Sequence, residues 1–190
     1  MRRFRRFNAL SLLGILALAL VVLAPGSASG SSDSSRATAV LKDANGVVVG
    51  RVALATVGNT VVVAARFDHQ TAGFHGFHVH AVGLCEAPFT TAGGHHNPGA
   101  ANHGDHAGDL PVQLVMQNGT ANAAVTTDRF TIDSLFDADG SAIILHAAPD
   151  NLANIPSRYV STTTGLAGPD AATLATGDSG ARVACGVVTR

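Results

Sequence analysis

The stretch TAVLKDANGVVVGRVALATVGNTVVVAARF, residues 38–67, decides the fold class. Three valine-rich runs, 38–42, 47–56 and 60–67, are separated by Asn45-Gly46 and by Gly58-Asn59. An Asn-Gly pair between apolar runs marks a hairpin, because a tight type I′ turn needs positive φ at both central residues. β-Branched side chains pack well on a pleated surface and lose rotamer freedom in a helix. The stretch therefore reads as three antiparallel strands. Outward from it, His75–His80, Val112–Met116, Ala121–Thr126, Ala142–Ala147 and Arg182–Val188 read as further strands, with Asn118-Gly119 marking a second hairpin. No segment from Ala37 onward shows helical periodicity. Short strands at this spacing predict an all-β antiparallel sandwich or barrel. Two long segments, Ala81–Asp109 and Ala148–Ala181, interrupt it and read as functional loops.

The 190 residues amount to about one domain. Arg2, Arg3, Arg5 and Arg6 precede a fifteen-residue apolar run, Ala9–Leu23, and the small residues Gly26-Ser27-Ala28-Ser29. This is the pattern of an export signal cleaved near Ala28 or Ser29. The run stops at Pro25 and falls short of the about 20 apolar residues that span a bilayer, so no membrane span is expected in the mature form. The domain reading is a signal peptide over 1–29, a flexible linker over 30–36 and one β domain over 37–190. Without the signal, eight basic and thirteen acidic residues remain, a charge of −5. That balance argues against a nucleic-acid partner. Cys85 and Cys185 are the only cysteines. Export makes a disulfide the favoured state of such a pair, with a soft metal ligand from each as the weaker reading. The bridge closes a loop of about 100 residues, for which the chain-entropy relation gives about 4.7 kcal/mol. The expected location is outside the cytoplasm: periplasmic, cell-envelope or extracellular.

Seven of the nine histidines fall between His75 and His106. His78 and His80 end a strand-like run, and residues two apart on a strand share a face, so both imidazoles can converge on one metal. His95, His103, His106 and Asp109 make three imidazoles and one carboxylate, a closed tetrahedral set suited to structural zinc. His146 ends the apolar strand Ile143-Ile144-Leu145 and adds a ligand to the first metal.

Gly73-Phe74-His75-Gly76-Phe77-His78-Val79-His80 and Gly180-Ala181-Arg182-Val183-Ala184-Cys185-Gly186-Val187 resemble the two signatures of the copper/zinc superoxide dismutases. Gly94-His95-His96-Asn97-Pro98 and His106-Ala107-Gly108-Asp109-Leu110 match the same family in order. The family is itself a known example of sandwich architecture. The resemblance covers residues 37–188 and implies an eight-stranded antiparallel Greek-key β-barrel or sandwich. It also implies an exported enzyme converting superoxide to oxygen and hydrogen peroxide by Cu(II)/Cu(I) cycling. By the resemblance, His78, His80, His95 and His146 bind copper, and His95, His103, His106 and Asp109 bind zinc, with His95 as the bridge. Asp150 links a copper histidine to a zinc histidine, His75 supports the loops without touching metal, and Cys85 and Cys185 are bonded. Arg182 is the active-site arginine that guides the anion. The alternative is a non-catalytic module that holds or delivers copper or zinc. Neither reading fixes whether the protein is a monomer or a homodimer.

This sequence also departs from the family pattern. Only two residues separate His103 from His106, where many relatives have a longer loop. His96 stands where an aromatic residue is common and is a competitor to His95 for metal. Ala175 occupies a place where a guiding lysine is frequent. Asp150-Asn151-Leu152-Ala153-Asn154-Ile155-Pro156 and Arg158-Tyr159 resemble the bacterial secreted branch, including its actinobacterial members. His69 has no assigned role.

Overall fold

The computed structural model of the protein describes residues 34–190. The expected signal segment and its cleavage site lie outside the described residues. Ser34 belongs to a turn, Ser35 O already accepts from Thr56 N (2.8 Å), and Arg36 opens the first strand, so the described end of the expected linker is tied to the sheet. Eight strands follow: β1 Arg36–Lys42, β2 Val48–Val57, β3 Thr60–Phe67, β4 Gly73–His80, β5 Asp109–Val115, β6 Ala121–Thr127, β7 Ala142–His146 and β8 Arg182–Val187. All neighbours are antiparallel, in the order β5-β4-β7-β8-β1-β2-β3-β6. The two edge strands are consecutive in the chain and joined by a short turn, so the sheet curls into a nearly closed barrel.

The chain reverses at Asn45-Gly46 as expected, but not in a type I′ turn: of the pair only Gly46 takes positive φ, and the turn closes around Ala44-Asn45. Asp43 N donates to Val47 O and Gly46 N to Asp43 O, both at 2.9 Å, and Gly46 takes φ 81°. Gly58-Asn59 closes the β2–β3 hairpin, where Val57 faces Thr60. Asn118-Gly119 behaves differently from the hairpin expected of it. Its turn closes, with Met116 N donating to Thr120 O (2.8 Å), yet β5 then pairs with β4 and β6 with β3. A turn signal fixes a local reversal, whereas strand partners are chosen by which sheet edge is free. A second difference is a short helix, α1 Ala171–Thr176, inside the second long loop. Asp170 caps it by accepting from Thr173 N (2.8 Å), and Gly177 ends it at φ 62°. Six residues are too few to show a helical period.

Alternation sorts the side chains. Leu41, Leu54, Phe67, Phe77, Val79, Ile143 and Leu145 are buried in the barrel core. Each such side chain contributes about 1.5–3 kcal/mol of hydrophobic stabilisation. In β4 and β7 the other face is buried too: Ile144 and Ala142 pack with Phe89, Ala92 and Cys185 of a second cluster beneath the first long loop. His78, His80 and His146 share that outer, loop-covered face.

Candidate metal centre

β4 presents His78 and His80 on one face, with Phe77 and Val79 committed to the core. β7 lies beside β4, His78 opposite Ile144, and alternation from Ile144 puts His146 on the same side, the register shift after Leu145 leaving its extra residue, Val183, on β8. The first long loop folds back so that His95 bridges to His80 along the backbone. Glycine permits this closeness: Val79 N donates to Gly108 O (2.9 Å), and a Cβ on Gly108 would lie 2.2 Å from Val79 O. Ligand atoms of His78, His80, His95 and His146 thus all fall within 4.8 Å of one another.

Each of three rings is anchored by one nitrogen. His78 Nε2 meets Asp150 Oδ2 at 2.6 Å, His80 Nδ1 meets Gly93 O at 3.0 Å, and His146 Nδ1 meets Gly180 O at 3.2 Å. The opposite nitrogens, His78 Nδ1, His80 Nε2 and His146 Nε2, are buried and make no hydrogen bond to protein. Buried polar atoms are normally paired. These three are imidazole lone pairs of one cluster, the donor type that a copper or zinc ion requires, with the anchors fixing tautomer and ring orientation. Burial lowers the pKa of His78 to about 4, against the opposing pull of Asp150, and that of His146 to about 3. His80 is also pushed well down by burial. All three are neutral near pH 7 and have lone pairs to donate.

The second cluster adjoins the first. His95 Nδ1 lies 2.8 Å from Asp109 Oδ1 and 3.1 Å from His106 Nδ1, and Asp109 Oδ1 lies 3.3 Å from both His103 Nδ1 and His106 Nδ1. Tetrahedral coordination at about 2.0–2.1 Å needs ligand–ligand edges of about 3.3 Å. The four groups match that size. His78 also comes within 4.8 Å of His95, His103 and Asp109. Its Nε2 is committed to Asp150, so its free nitrogen belongs with the first cluster. Burial opposes a charge on His103, but hydrogen bonds to Asp109 and Asp150 outweigh it and raise the pKa to about 9. Burial likewise opposes ionisation of Asp109, and the bonds to His103 and His95 more than reverse it, holding the carboxyl well below the usual range. The short His103–His106 spacing closes without distortion because Asp109 Oδ2 accepts from the amides of Gly104 (2.8 Å) and His106 (3.0 Å).

Asp150 connects the clusters. Its Oδ2 meets His78 and its Oδ1 meets His103 Nε2 (2.8 Å) and Leu152 N (2.6 Å). His75 Nδ1 contacts His146 O (2.6 Å) and Nε2 contacts Thr71 O (2.8 Å), so it touches the backbone of a cluster member and joins neither cluster. His96 is buried but stands apart from both sets, and His69 is exposed. Cys85 and Cys185 are bonded, with Cα atoms 5.6 Å apart. Arg182 starts β8, an interior strand, and is half-buried. Its Nη1 donates to Phe89 O and its Nη2 to Gly93 O, both at 2.6 Å. Its charge reaches His80 and His146, lowering the pKa of each. Ala175 lines a 440 Å³ surface hollow with His95, His106 and Leu174 and brings no charge to it. The 680 Å³ hollow on the outer face of β1, β2, β3 and β6 is floored by alanines and holds no metal-ligating side chain.

Two imidazole clusters sharing a histidine, linked by one carboxylate and flanked by a bridged loop, agree with a sequence comparison. The family model for copper/zinc superoxide dismutase (SODC) matches residues 48–188. The chain belongs to the copper/zinc superoxide dismutase family. A superoxide dismutase [Cu-Zn] of Mycobacterium tuberculosis is 43% identical over 164 residues, covering 80% of this chain and 64% of the relative. The chain thus spans just under two thirds of that relative's length. A superoxide dismutase [Cu-Zn] of Mycolicibacterium paratuberculosis is 40% identical over 163 residues, covering 80% of this chain and 67% of the relative. A crystal structure of a double mutant of a SOD-like protein from Bacillus subtilis superposes with a TM-score of 0.62 at 27% identity, covering 79% of this chain and 95% of that one.

Several residues around the two clusters escaped the sequence reading. Arg129 Nη1 donates to Gly104 O (2.7 Å) and His106 O (3.2 Å), pinning the short ligand loop from the distant β6–β7 connection. Ser179 Oγ donates to Asp150 Oδ2 (3.2 Å) and is fully buried. Gly177 packs against the His103–Asp150 contact, where a Cβ would lie 2.3 Å from His103 Nε2. None belongs to a periodic pattern or a ligand-type cluster, so nothing local signals it.

Proposed function

We propose that the protein binds copper and zinc, converts superoxide to oxygen and hydrogen peroxide, and works outside the cytoplasm. The observation that carries this reading is the set of inward-facing imidazole nitrogens without protein partners beside the anchored Arg182. His78, His80, His146 and His95 are the proposed copper ligands. His95, His103, His106 and Asp109 are the proposed zinc ligands, with His95 common to both through its two ring nitrogens. When bound there, copper would supply the one-electron redox chemistry that dismutation of superoxide needs.

The chain's own groups set the conditions for that exchange. Gly93 O, Gly180 O and Asp150 orient the rings, which fixes the nitrogen that each would offer to a metal. The imidazole nitrogens suit both copper oxidation states. Asp150 and Ser179 hold the two clusters at fixed separation. Superoxide is a small anion and the chain beyond the expected signal is net acidic, so a local positive focus is needed. Arg182 uses two guanidinium N–H groups on Phe89 O and Gly93 O and keeps others for an incoming anion. The disulfide supports an oxidising compartment. Among the described residues no helix is long and apolar enough to cross a membrane.

Metal analysis of the purified protein alongside a superoxide assay tests the proposal. Copper and zinc bound together with cyanide-sensitive superoxide removal is the expected result. Metal-loaded protein that leaves superoxide untouched would transfer the site to the metal-delivery alternative.

A further inference from the structure

The second long loop contains the chain's single tyrosine, and no metal-ligand pattern accounts for it. Tyr159 Oη donates to Asp178 Oδ2 at 2.6 Å and accepts from Asn151 Nδ2 at 3.3 Å. These partners sit at strategic places. Asn151 follows Asp150 directly, and its amide donates to Gly177 O (2.9 Å). Asp178 lies between Gly177, which packs against the His103–Asp150 contact, and Ser179, whose hydroxyl donates to Asp150.

Asp178 is buried and takes φ 54°, a left-handed conformation that non-glycine residues adopt only when their surroundings impose it. Four hydrogen bonds impose it. Besides Tyr159, Thr163 Oγ1 donates to its Oδ1 (3.2 Å), Thr162 Oγ1 donates to its carbonyl (3.3 Å), and its amide donates to Thr176 Oγ1 (3.2 Å). The phenol bonds both to this strained turn and to the residue beside Asp150, bracing the direct bond between Asn151 N and Gly177 O. Burial and the Asp178 carboxylate raise its pKa, so the proton it donates is retained at neutral pH.

We propose that Tyr159 is a positioning residue of the metal centre: by joining Asn151 to Asp178 it holds the Asp150 carboxylate astride His78 and His103. This rests on the reading of the two histidine clusters as metal sites. Asp150 accepts four hydrogen bonds, from His78, His103, Ser179 and Leu152, so a small displacement of either flanking segment disturbs ligands of both clusters at once. Removing the phenolic hydroxyl takes away one brace between the Gly177–Ser179 turn and the Asp150 segment, leaving the direct bonds Asn151 N to Gly177 O and Ser179 Oγ to Asp150 Oδ2, so the turn loosens while every candidate ligand stays in place.

The test is the rate at which protein loaded with zinc releases it to a chelator, paired with the visible spectrum of Co(II) bound in place of zinc. Tyr159→Phe is expected to speed release about ten-fold, the low end of the range for partners of metal ligands, and to alter the cobalt bands. Asp178→Ala is expected to match it. Asp178→Asn keeps an acceptor for the phenol and is expected to stay near the parent rate. Thr164→Ala breaks the Thr164–Asp170 bond (2.6 Å) in the same loop without touching Asn151 or Asp178, and is expected to leave release and spectrum unchanged. Far-ultraviolet circular dichroism checks folding; if Tyr159→Phe does not fold, the Asp178 pair decides. Equal release from Tyr159→Phe and the parent, equal acceleration by Thr164→Ala, or Asp178→Asn behaving as Asp178→Ala would each overturn the positioning role alone. Failure of the parent protein itself to take up zinc or cobalt would instead remove the metal-site reading and this role with it.

Discussion

Replacing both Cys85 and Cys185 by alanine is expected to cost stability and disturb the site through one and the same loop. The bridge spans 100 residues. The chain-entropy relation assigns about 4.7 kcal/mol to a loop of that length, and removal of native disulfides costs about 2–5 kcal/mol. For a domain of this size each kcal/mol moves the melting temperature by about 2–4 °C, so a fall of roughly 10–20 °C is expected. The functional consequence follows from where Cys85 sits. The segment it ties down carries Phe89 and Gly93, whose carbonyls hold the Arg182 guanidinium. Phe89, Ala92, Ala142 and Ile144 still pack together without the sulfur bond, so the segment loosens and does not detach. Misplacing a group by about 1 Å can cost two orders of magnitude in rate; partial loosening is expected to lower activity per bound copper about ten-fold. Thermal melts followed by circular dichroism, with metal content and superoxide removal measured on the same samples, provide the check. A melting temperature within 2–4 °C of the parent would mean a bridge worth only about 1 kcal/mol and refute the loop-entropy reasoning. Unchanged activity per copper would refute the link from bridge to Arg182.

Other expectations concern single residues and pH. Arg182→Ala is expected to keep copper, to lose at least about ten-fold in rate and to show a weaker dependence of rate on salt, since the removed charge is the local focus for the anion; stopped-flow kinetics over a salt series measures this, and an unchanged rate would remove the assigned role. His106→Ala is expected to loosen the first loop and lower the melting temperature more than it lowers copper affinity; copper lost first at a constant melting temperature would show that the division of ligands is wrong. Metal-free protein is expected to be most stable near neutral pH. Below about 6.5 the unfolded chain takes up protons that buried His78 and His146 refuse until about 4 and about 3, so stability falls with acidification. His103 acts oppositely: its contribution is complete below about 6.5 and fades as pH rises through about 9. Melting curves across pH 4–9 check both limbs, and a flat acid limb would count against neutral buried imidazoles.

Much of the candidate site was legible because its candidate ligands are concentrated. His78 and His80 share a strand face by backbone geometry alone, and His103, His106 and Asp109 lie within seven residues of one another. Ser179, Arg129 and Tyr159 gave no such sign, since serine, arginine and tyrosine in loops are ordinary until their partners are known. The helix at Ala171–Thr176 was hidden for a related reason: it is fixed by the Asp170 cap and Gly177 and too short for a period. Asn118-Gly119 shows the limit from the other side, a correctly read turn whose strands separate to different partners.

Properties of the local chain can be read from the residues alone: the alternation that makes strands, the turns between them, the cysteine pair and the ligand-type residues. These depend on neighbours a few positions away. The folded arrangement alone brings His146 to His78, carries Asp150 back 72 residues to His78 and 47 to His103, and sets Arg182 against the carbonyls of Phe89 and Gly93. Those contacts follow from strand order, register and loop closure. All three are set by burying one common core, so they cannot be read from any single segment.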